Sequence, residues 1–305
     1  MSELHPNAAP IPDPRQLDII ILTMNEERNL PACLASLSAL SCTVWVVDSG
    51  STDSTVALAR AAGANVYAHP FASYGEQRNW ALNELPLRGE WILNLDADER
   101  LTPELAVEIA AAIAQPSVEF DGFRLRRRTV FMGRWIRHGG HYPNYQLRLF
   151  RRSKGACEDR RYDQHFVVNG PVASLRNDYI DVTASGLPVW TMRHVRWATA
   201  EAEELTHGPA SRGSADSVLR VNASLTDGPI ARKRWLRDIL YAKTPLFVRP
   251  IGYFLYRYFF RLGFLDGKEG LIFHFLQGFW FRFLVDAVIY ERRREAELAP
   301  KPNNE

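Results

Sequence analysis

The chain has 305 residues, 46% of them hydrophobic and 24% charged, with a formal net charge of +2. That length and apolar content supply a substantial core, as one large domain with an appendage or as two domains, and the near-neutral balance gives no case for nucleic-acid binding. Three cysteines, Cys33, Cys42 and Cys157, lack metal-ligand spacing; Cys33 and Cys42 read as reduced core thiols, which suits a cytosolic face and argues against a disulfide framework.

Residues 1–15 are Pro-rich and polar, without the basic start and apolar run of a signal peptide, and read as a loose tail. Asp18–Leu22 reads as a strand. Asn29 is placed to cap the next helix, with Pro31 in its first turn and Leu30, Leu34 and Leu37 on one face. Thr43–Val47 is a second strand ending at Asp48, followed by the turn Ser49-Gly50-Ser51-Thr52-Asp53 and a helix over Ser54–Ala62 that Gly63 stops. Asn65–Ala68 forms a short third strand and Tyr74–Leu85 a helix. Trp91–Leu95 forms a further strand, and Thr102 with Pro103 opens another helix.

Repeated β-α-β units imply an α/β fold with a mainly parallel sheet and helices on both faces, in which ligands bind outside the carboxyl ends of the strands. Three polar clusters fall at such ends: Thr23-Met24-Asn25-Glu26, Asp48-Ser49-Gly50-Ser51 and Asp96-Ala97-Asp98. Their convergence predicts one site. Asp96 and Asp98, two residues apart, share a side of an extended chain, and a hard divalent cation prefers such oxygen ligands and shares them with phosphates; the plainer reading is a solvated acidic turn. No glycine-rich dinucleotide fingerprint follows the first strand and no Walker phosphate loop occurs, which excludes a dinucleotide fold and an ATPase site.

From Gly122 the pattern changes. Gly122–Arg128 and Gln146–Arg152 read as strands; Arg126, Arg127 and Arg128 suit a solvated strand edge or a diphosphate. The stretch Arg134–Pro143, rich in Gly, aromatic and basic residues, reads as a substrate loop. Between Arg232 and Arg294 the chain is crowded with Trp, Phe, Tyr, Leu and Arg. No run of 18 residues there escapes formal charge, so helices lying in a bilayer interface are favoured over a membrane span. Arg257 and Arg261 repeat one turn apart, as do His274, Gly278 and Arg282, with Leu271, Phe275, Phe279 and Phe283 on a neighbouring face. A helical subdomain packed on the core, or on a partner chain, is the alternative. Residues 296–305 read as a second tail.

Ile21-Leu22-Thr23-Met24-Asn25-Glu26-Glu27, Val46-Val47-Asp48-Ser49-Gly50-Ser51-Thr52-Asp53 and Leu95-Asp96-Ala97-Asp98-Glu99 resemble, in order and spacing, the three signatures of glycosyltransferase family 2, inverting nucleotide-sugar-dependent enzymes with the GT-A fold. Tyr162-Asp163-Gln164-His165-Phe166 and Leu262-Gly263-Phe264-Leu265-Asp266-Gly267 resemble a bacterial branch that builds exopolysaccharide or lipopolysaccharide-core sugars. One departure is Ser49, where the family often has a second Asp.

The resemblance implies a GT-A catalytic domain over residues 16–228 and a helical membrane-associating segment over 229–295. It implies that Asp48 accepts a hydrogen bond from the uracil of a UDP-sugar, with Thr23, Asn25 and Glu26 lining the base and ribose. Ser51 contacts the nucleotide or makes the turn. Asp96 contacts the ribose or a Mg²⁺ or Mn²⁺ ion, and Asp98 the ion. Arg78, beside Asn79, offers fixed donors for a phosphate or base carbonyl.

An inverting transfer needs a base for the acceptor hydroxyl. Asp163 is the candidate, with Glu158 and Asp159 as alternatives; His165 positions the acceptor, helps to bind the metal or is structural, and His194 is an acceptor-side candidate. The reading is a metal-dependent hexosyltransferase at the cytoplasmic face of the bacterial inner membrane. It would act on a lipid-linked saccharide, the membrane surface being met through the C-terminal segment. A polyprenyl-phosphate glycosyltransferase, a nucleotidyltransferase and a non-catalytic membrane scaffold are the rivals.

Overall fold

The computed structural model describes residues 16–114, 119–158, 164–183, 186–207 and 244–298. These fall into two compact units. The first takes residues 16–130, 143–158 and 164–183; the second takes 131–142, 186–207 and 244–298.

The first unit alternates β1 (Leu17–Thr23), α1 (Leu30–Ala35), β2 (Thr43–Asp48), α2 (Thr55–Ala61), β3 (Asn65–Ala68), α3 (Tyr74–Glu84), β4 (Trp91–Asp96), β5 (Glu99–Leu101) and α4 (Pro103–Ile113). The chain continues through β6 (Gly122–Phe131), the short β7 (Arg134–Trp135) of the second unit, β8 (Asn144–Arg151), β9 (Gly155–Cys157), β10 (Phe166–Val168) and β11 (Val172–Thr183). The sheet runs β3-β2-β1-β4-β8-β6-β11-β5. Its first half is parallel, β1 pairing with β2 and β4, and β2 with β3. Beyond β4 the pairs β4–β8, β8–β6 and β11–β5 are antiparallel. The parallel half is the expected β-α-β part; the antiparallel half makes the sheet mixed.

The long apolar run of β1 follows from burial on both faces. Leu17, Ile19 and Ile21 join Val46, Leu93 and Leu95 under Leu30, Cys33, Leu105 and Ile109, whereas Ile20 and Leu22 join Val47, Ile92 and Phe150 under Ala81 and Leu85. Thr102 caps α4 as expected, its hydroxyl accepting from Leu105 N at 3.2 Å. Asn29 does not cap α1. Its amide instead donates to Glu26 Oε2 at 2.7 Å, and the chain enters the helix already in helical conformation. The three thiols are free.

The arginines of β6 are not a solvated edge. β6 lies between β8 and β11, and Arg126 and Arg128 both close on buried Asp178, at 2.5 and 2.7 Å, while Arg127 reaches Asp181 at 3.5 Å. Like charges interleaved along an interior strand are held by carboxylates on its neighbour.

The second unit contains α5 (Leu187–His207) and α6 (Val248–Leu255), which runs into a π-helical turn over Tyr256–Phe260. A 3₁₀ turn (Gly263–Asp266) ends at Gly267, whose φ of +71° breaks the helical path, and α7 (Gly267–Phe273), a π-helical stretch (His274–Trp280) and α8 (Phe281–Leu298) then follow one another without interruption. Ala198 and Ala202 of α5 admit Phe281, Val285 and Ile289 of α8. Two charged pairs, Glu201 with Arg282 at 2.5 Å and Glu203 with Arg292 at 2.9 Å, fix the same two helices. Asp286, fully buried, accepts from Arg249 Nε at 2.7 Å and from Phe247 N at 2.8 Å.

The anticipated division near residue 228 lies outside the described residues, and α5 and the 131–142 loop already group with the C-terminal helices because their apolar faces pack there. Residues 296–298 are not tail but the last turn of α8; the remaining tail positions, 1–15 and 299–305, lie outside the described residues.

The loop read as a substrate loop is bound tightly within the second unit. Gly139 N donates to Arg261 O at 2.8 Å and Gly139 O accepts from Arg257 Nε at 3.0 Å. Asp266 accepts from the backbone of Arg137 and His138, at 3.2 and 2.9 Å, and pairs with His138 Nδ1 at 2.7 Å. Gly139 is required twice over: its φ is +67°, and a Cβ there would sit 2.1 Å from the ring of His274.

Candidate active site

Parallel registry brings the three polar clusters to one edge of the first unit. Thr23, the last residue of β1, is level with Asp48, the last of β2, and on the other side of β1 Leu22 is level with Asp96, the last of β4. With neighbouring strands ~4.8 Å apart, Asp48 and Asp96 flank β1 roughly 10 Å from one another.

On the β2 side, Asp48 organises its own turn. One carboxylate oxygen accepts from the hydroxyls of Thr23, at 3.0 Å, and Ser51, at 2.5 Å; the other accepts from the backbone N–H groups of Gly50 and Ser51, at 3.0 and 2.8 Å. Asn25, in the left-handed region at φ +57°, ties the first cluster to the second. Its N–H donates to Ser51 Oγ at 2.8 Å and its side-chain oxygen accepts from Thr52 N at 2.8 Å. Glu26 N donates to Thr55 Oγ1 at 2.8 Å. Thr23, Asn25, Asp48 and Ser51 therefore form one hydrogen-bonded rim built from two strand ends, and Glu26 beside them is held by Thr55 and Asn29.

Helix α3 connects this rim to β4. Ser73 caps the helix. Consecutive residues then reach different strand ends: Gln77 donates to Ser49 Oγ at 2.5 Å and Arg78 donates to Asp96 Oδ1 at 2.7 Å. Arg78 also lies over the Phe166 ring, 5.0 Å from its centre. Asn79 is structural: its amide exchanges two hydrogen bonds, each 2.9 Å, with the backbone of Cys157. Trp80 stacks on His69, 4.2 Å between centres.

Asp96 and Asp98 differ more than their shared motif suggests. Residues 97 and 98 form a tight turn between β4 and β5, so the two carboxylates are not successive positions of one extended face. Asp96 is gripped by two arginines, Arg78 on one oxygen and Arg148 on the other at 3.0 Å. Burial opposes its ionisation, yet these two guanidinium groups hold its carboxyl well below the usual range. Arg148 also bonds Glu99, and Glu99 Oε2 accepts from Asp96 N at 2.9 Å, which clamps the turn at both ends. Burial pushes Glu99 up to about 7 although Arg148 pulls the other way.

Asp98 has the opposite surroundings. Burial, then Asp181, Asp96, Glu99 and Glu26, raise its carboxyl well above the ordinary value, and no hydrogen bond or ion pair reaches its side chain among the described residues. Within those residues no three His, Cys, Asp or Glu side chains are arranged to enclose an ion. A side chain without a partner among acidic neighbours fits a divalent ion completed by substrate phosphates rather than a closed protein cage.

Asp163 and Asp159 lie outside the described residues. Glu158 is fully buried, its Oε2 accepting from His165 N at 2.9 Å while its own N donates to His165 O at 2.9 Å, so these two residues pin each other. His194 lies in the second unit. It stacks on Trp190 at 3.5 Å, packs edge-on to Phe281 and donates from Nδ1 to Trp190 O at 2.8 Å. Burial drives its pKa down to about 4, the behaviour of a core imidazole.

The family model for glycosyl transferase family 2 matches residues 18–181, more than half of the chain. The chain belongs to glycosyl transferase family 2. The matched span covers every element of the first unit that carries the rim, the Arg78–Asp96–Arg148 cluster and Asp98. The chain is 29% identical over 294 residues to the lipopolysaccharide core biosynthesis glycosyltransferase LpsC of Rhizobium meliloti, covering 94% of this chain and 95% of that protein. It is 39% identical over 95 residues to an uncharacterized glycosyltransferase of Rickettsia bellii, spanning 31% of this chain and about a third, 32%, of that relative's length. Among solved structures, the mannosyltransferase PcManGT of Pyrobaculum calidifontis, in complex with GDP-Man and Mn²⁺, aligns over 94% of this chain and 90% of its own, at 15% identity and a TM-score of 0.49.

Proposed function

We propose that this family 2 glycosyltransferase is an inverting enzyme of lipopolysaccharide-core synthesis. It moves a hexose from a nucleotide sugar, UDP-linked, to a hydroxyl of a lipid-linked saccharide at the cytoplasmic face of the inner membrane. The observation that carries this reading is the single edge where β1, β2 and β4 end, with a hydrogen-bonded polar rim on one side and a charged cluster on the other. The full-length similarity to LpsC supports the lipopolysaccharide-core assignment.

In this reading the rim of Thr23, Asn25, Glu26, Asp48 and Ser51 receives the base and ribose. Its groups are already held by hydrogen bonds within the protein, so the loop is ordered before donor arrives and little ordering entropy remains to be lost on binding. Arg78 and Arg148, neutralised by Asp96, keep two guanidinium groups close to the leaving diphosphate. Asp98 would hold a Mg²⁺ or Mn²⁺ ion together with the phosphates. When bound, that ion offsets the negative charge of the departing nucleoside diphosphate. Asp163 takes the proton from the acceptor hydroxyl as the oxygen attacks the anomeric carbon from the face opposite the leaving group.

Nucleotide release with a membrane lipid extract, with and without Mn²⁺, tests the reading. Wild type should release UDP in a cation-dependent way, and Asp98→Ala should be slowed by about 100-fold or more, as expected when several kcal/mol of charge stabilisation is lost. Cation-independent activity, or full activity in the variant, would count against the ion at Asp98. Release of diphosphate would indicate nucleotidyl transfer, and an Asp163→Asn variant at full rate would indicate a phosphate acceptor, which needs no base.

A further inference from the structure

The connection between α6 and the long C-terminal helix exposes more large apolar surface than any structural role requires. Phe260 is 80% exposed, and Phe259, Leu262, Phe264 and Leu265 are each between 44% and 53% exposed. Rings held out of a core are normally found where the chain is loose, but this turn is firmly built. Buried Arg257 spans its inner side, bonding Gly139 O and, at 3.0 Å, Gln277 Oε1. Arg261 N donates to Tyr256 O at 2.9 Å, and Leu262 takes the left-handed conformation at φ +59°. Gly263 has no room for a side chain: a Cβ would lie 2.7 Å from His274 and 2.9 Å from Arg257 O. The backbone therefore presents these side chains to solvent, and contiguous apolar surface presented in this way marks an interaction site.

Charge decides what it meets. Arg261 and Lys268, both exposed, stand at the same tip, while Asp266 is buried and spent on the backbone N–H groups of residues 137 and 138. Aromatic side chains bordered by cations match the interface of an anionic bilayer, where rings sink below headgroups that the cations contact. Gly263–Leu298 is long and apolar enough to cross a membrane by length and composition. Its second half is committed elsewhere, however. Asp286 is fully buried on Arg249, Arg282 and Arg292 are paired to α5, and Phe281, Val285 and Ile289 fill the α5 interface.

We propose that the turn over residues 259–265 is a preformed wedge that enters an anionic leaflet. Arg261 and Lys268 contact lipid phosphates, and the helix behind stays packed in protein instead of crossing the bilayer. This rests on the membrane-surface reading above and names the surface that performs it.

Flotation of the full chain with phosphatidylcholine vesicles, with and without equimolar phosphatidylglycerol, tests it. Wild type should float with the anionic vesicles and be released by high salt. Phe260→Ser combined with Phe264→Ser, both at exposed positions, should weaken partitioning by roughly 100-fold, about tenfold per ring. Arg261→Gln and Lys268→Gln should each weaken it about fivefold and only on anionic vesicles. Circular dichroism checks that each variant is folded, and a nucleotide-sugar thermal shift without lipid should be unchanged in all of them. Unaltered vesicle binding by the double serine variant overturns the proposal. So does wild type that resists salt and alkaline extraction as a spanning helix would, or a lipid-free dimer that the serine variant dissolves. A chain that floats through the wedge yet shows no nucleotide-sugar shift would leave the wedge standing and overturn the donor reading instead.

Discussion

Asp48 and Asp96 end the two parallel strands that flank β1, yet their carboxylates do different work. Asp48 takes four hydrogen bonds from its own turn and from Thr23, and Asp96 takes two arginines. Asn at position 48 keeps the shape but replaces one acceptor oxygen with a donor that faces existing donors. Asp48→Asn should therefore cost about 2 kcal/mol of stability, read from the urea midpoint, and loosen the 49–52 turn. Arg148→Gln should cost about 3 kcal/mol, because it strips buried Glu99 of its cation and frees one oxygen of Asp96. Arg148→Lys should restore only part of this: one terminal nitrogen, Nη2, serves both carboxylates, and a lysine ammonium supplies that charge on a shorter stem without the planar guanidinium. His194 gives a pH signature. Its folded pKa of about 4 lies below the unfolded value of 6.5, so the native chain binds fewer protons between those values. Its contribution is complete above pH 6.5 and is lost as pH falls toward 4, on the order of 3 kcal/mol in all. In His194→Phe, the fall of melting temperature across that window should be shallower than in wild type.

At the scale of elements, some features were legible in the sequence for a definite physical reason and others were not. β1, β2 and β4 are buried on both faces, so their apolar runs announce themselves, and the residue that ends each run marks the edge where a site forms. Thr102 and Pro103 likewise signal α4 from local chemistry alone. Arg148 gave no such signal. It stands in an apolar–basic strand some fifty residues from Asp96, and only the antiparallel pairing of β8 with β4 brings it to the site. The arginines of β6 looked solvated because their partner, Asp178, lies on β11, about fifty residues on. The Arg134–Pro143 stretch carries the composition of a binding loop, but Gly139 and His138 are specified by packing against Arg257, Asp266 and His274. Gly139→Ala tests that explanation: a Cβ against the His274 ring and an unfavourable φ should together cost about 2–4 kcal/mol and lower the thermal midpoint with the far-ultraviolet spectrum intact below it.

For the whole molecule, the family assignment rests on the first unit, whose strand ends supply the rim and the charged cluster. The second unit supplies a helical body of its own and the apolar tip at residues 259–265. The contrast between Asp96, neutralised by arginines, and Asp98, left among carboxylates, is the feature on which the proposed donor and cation site rests. The most direct test is a thermal-shift screen of nucleotide sugars, with and without Mn²⁺, on wild type, Asp48→Asn and Asp98→Asn. A ligand that binds the folded state raises the melting temperature according to its concentration and affinity. The account predicts a UDP-sugar shift in wild type that grows with Mn²⁺, a shift insensitive to Mn²⁺ in Asp98→Asn, and a weakened shift in Asp48→Asn. Wild type that responds to no nucleotide sugar, or variants that respond as wild type does, would contradict it.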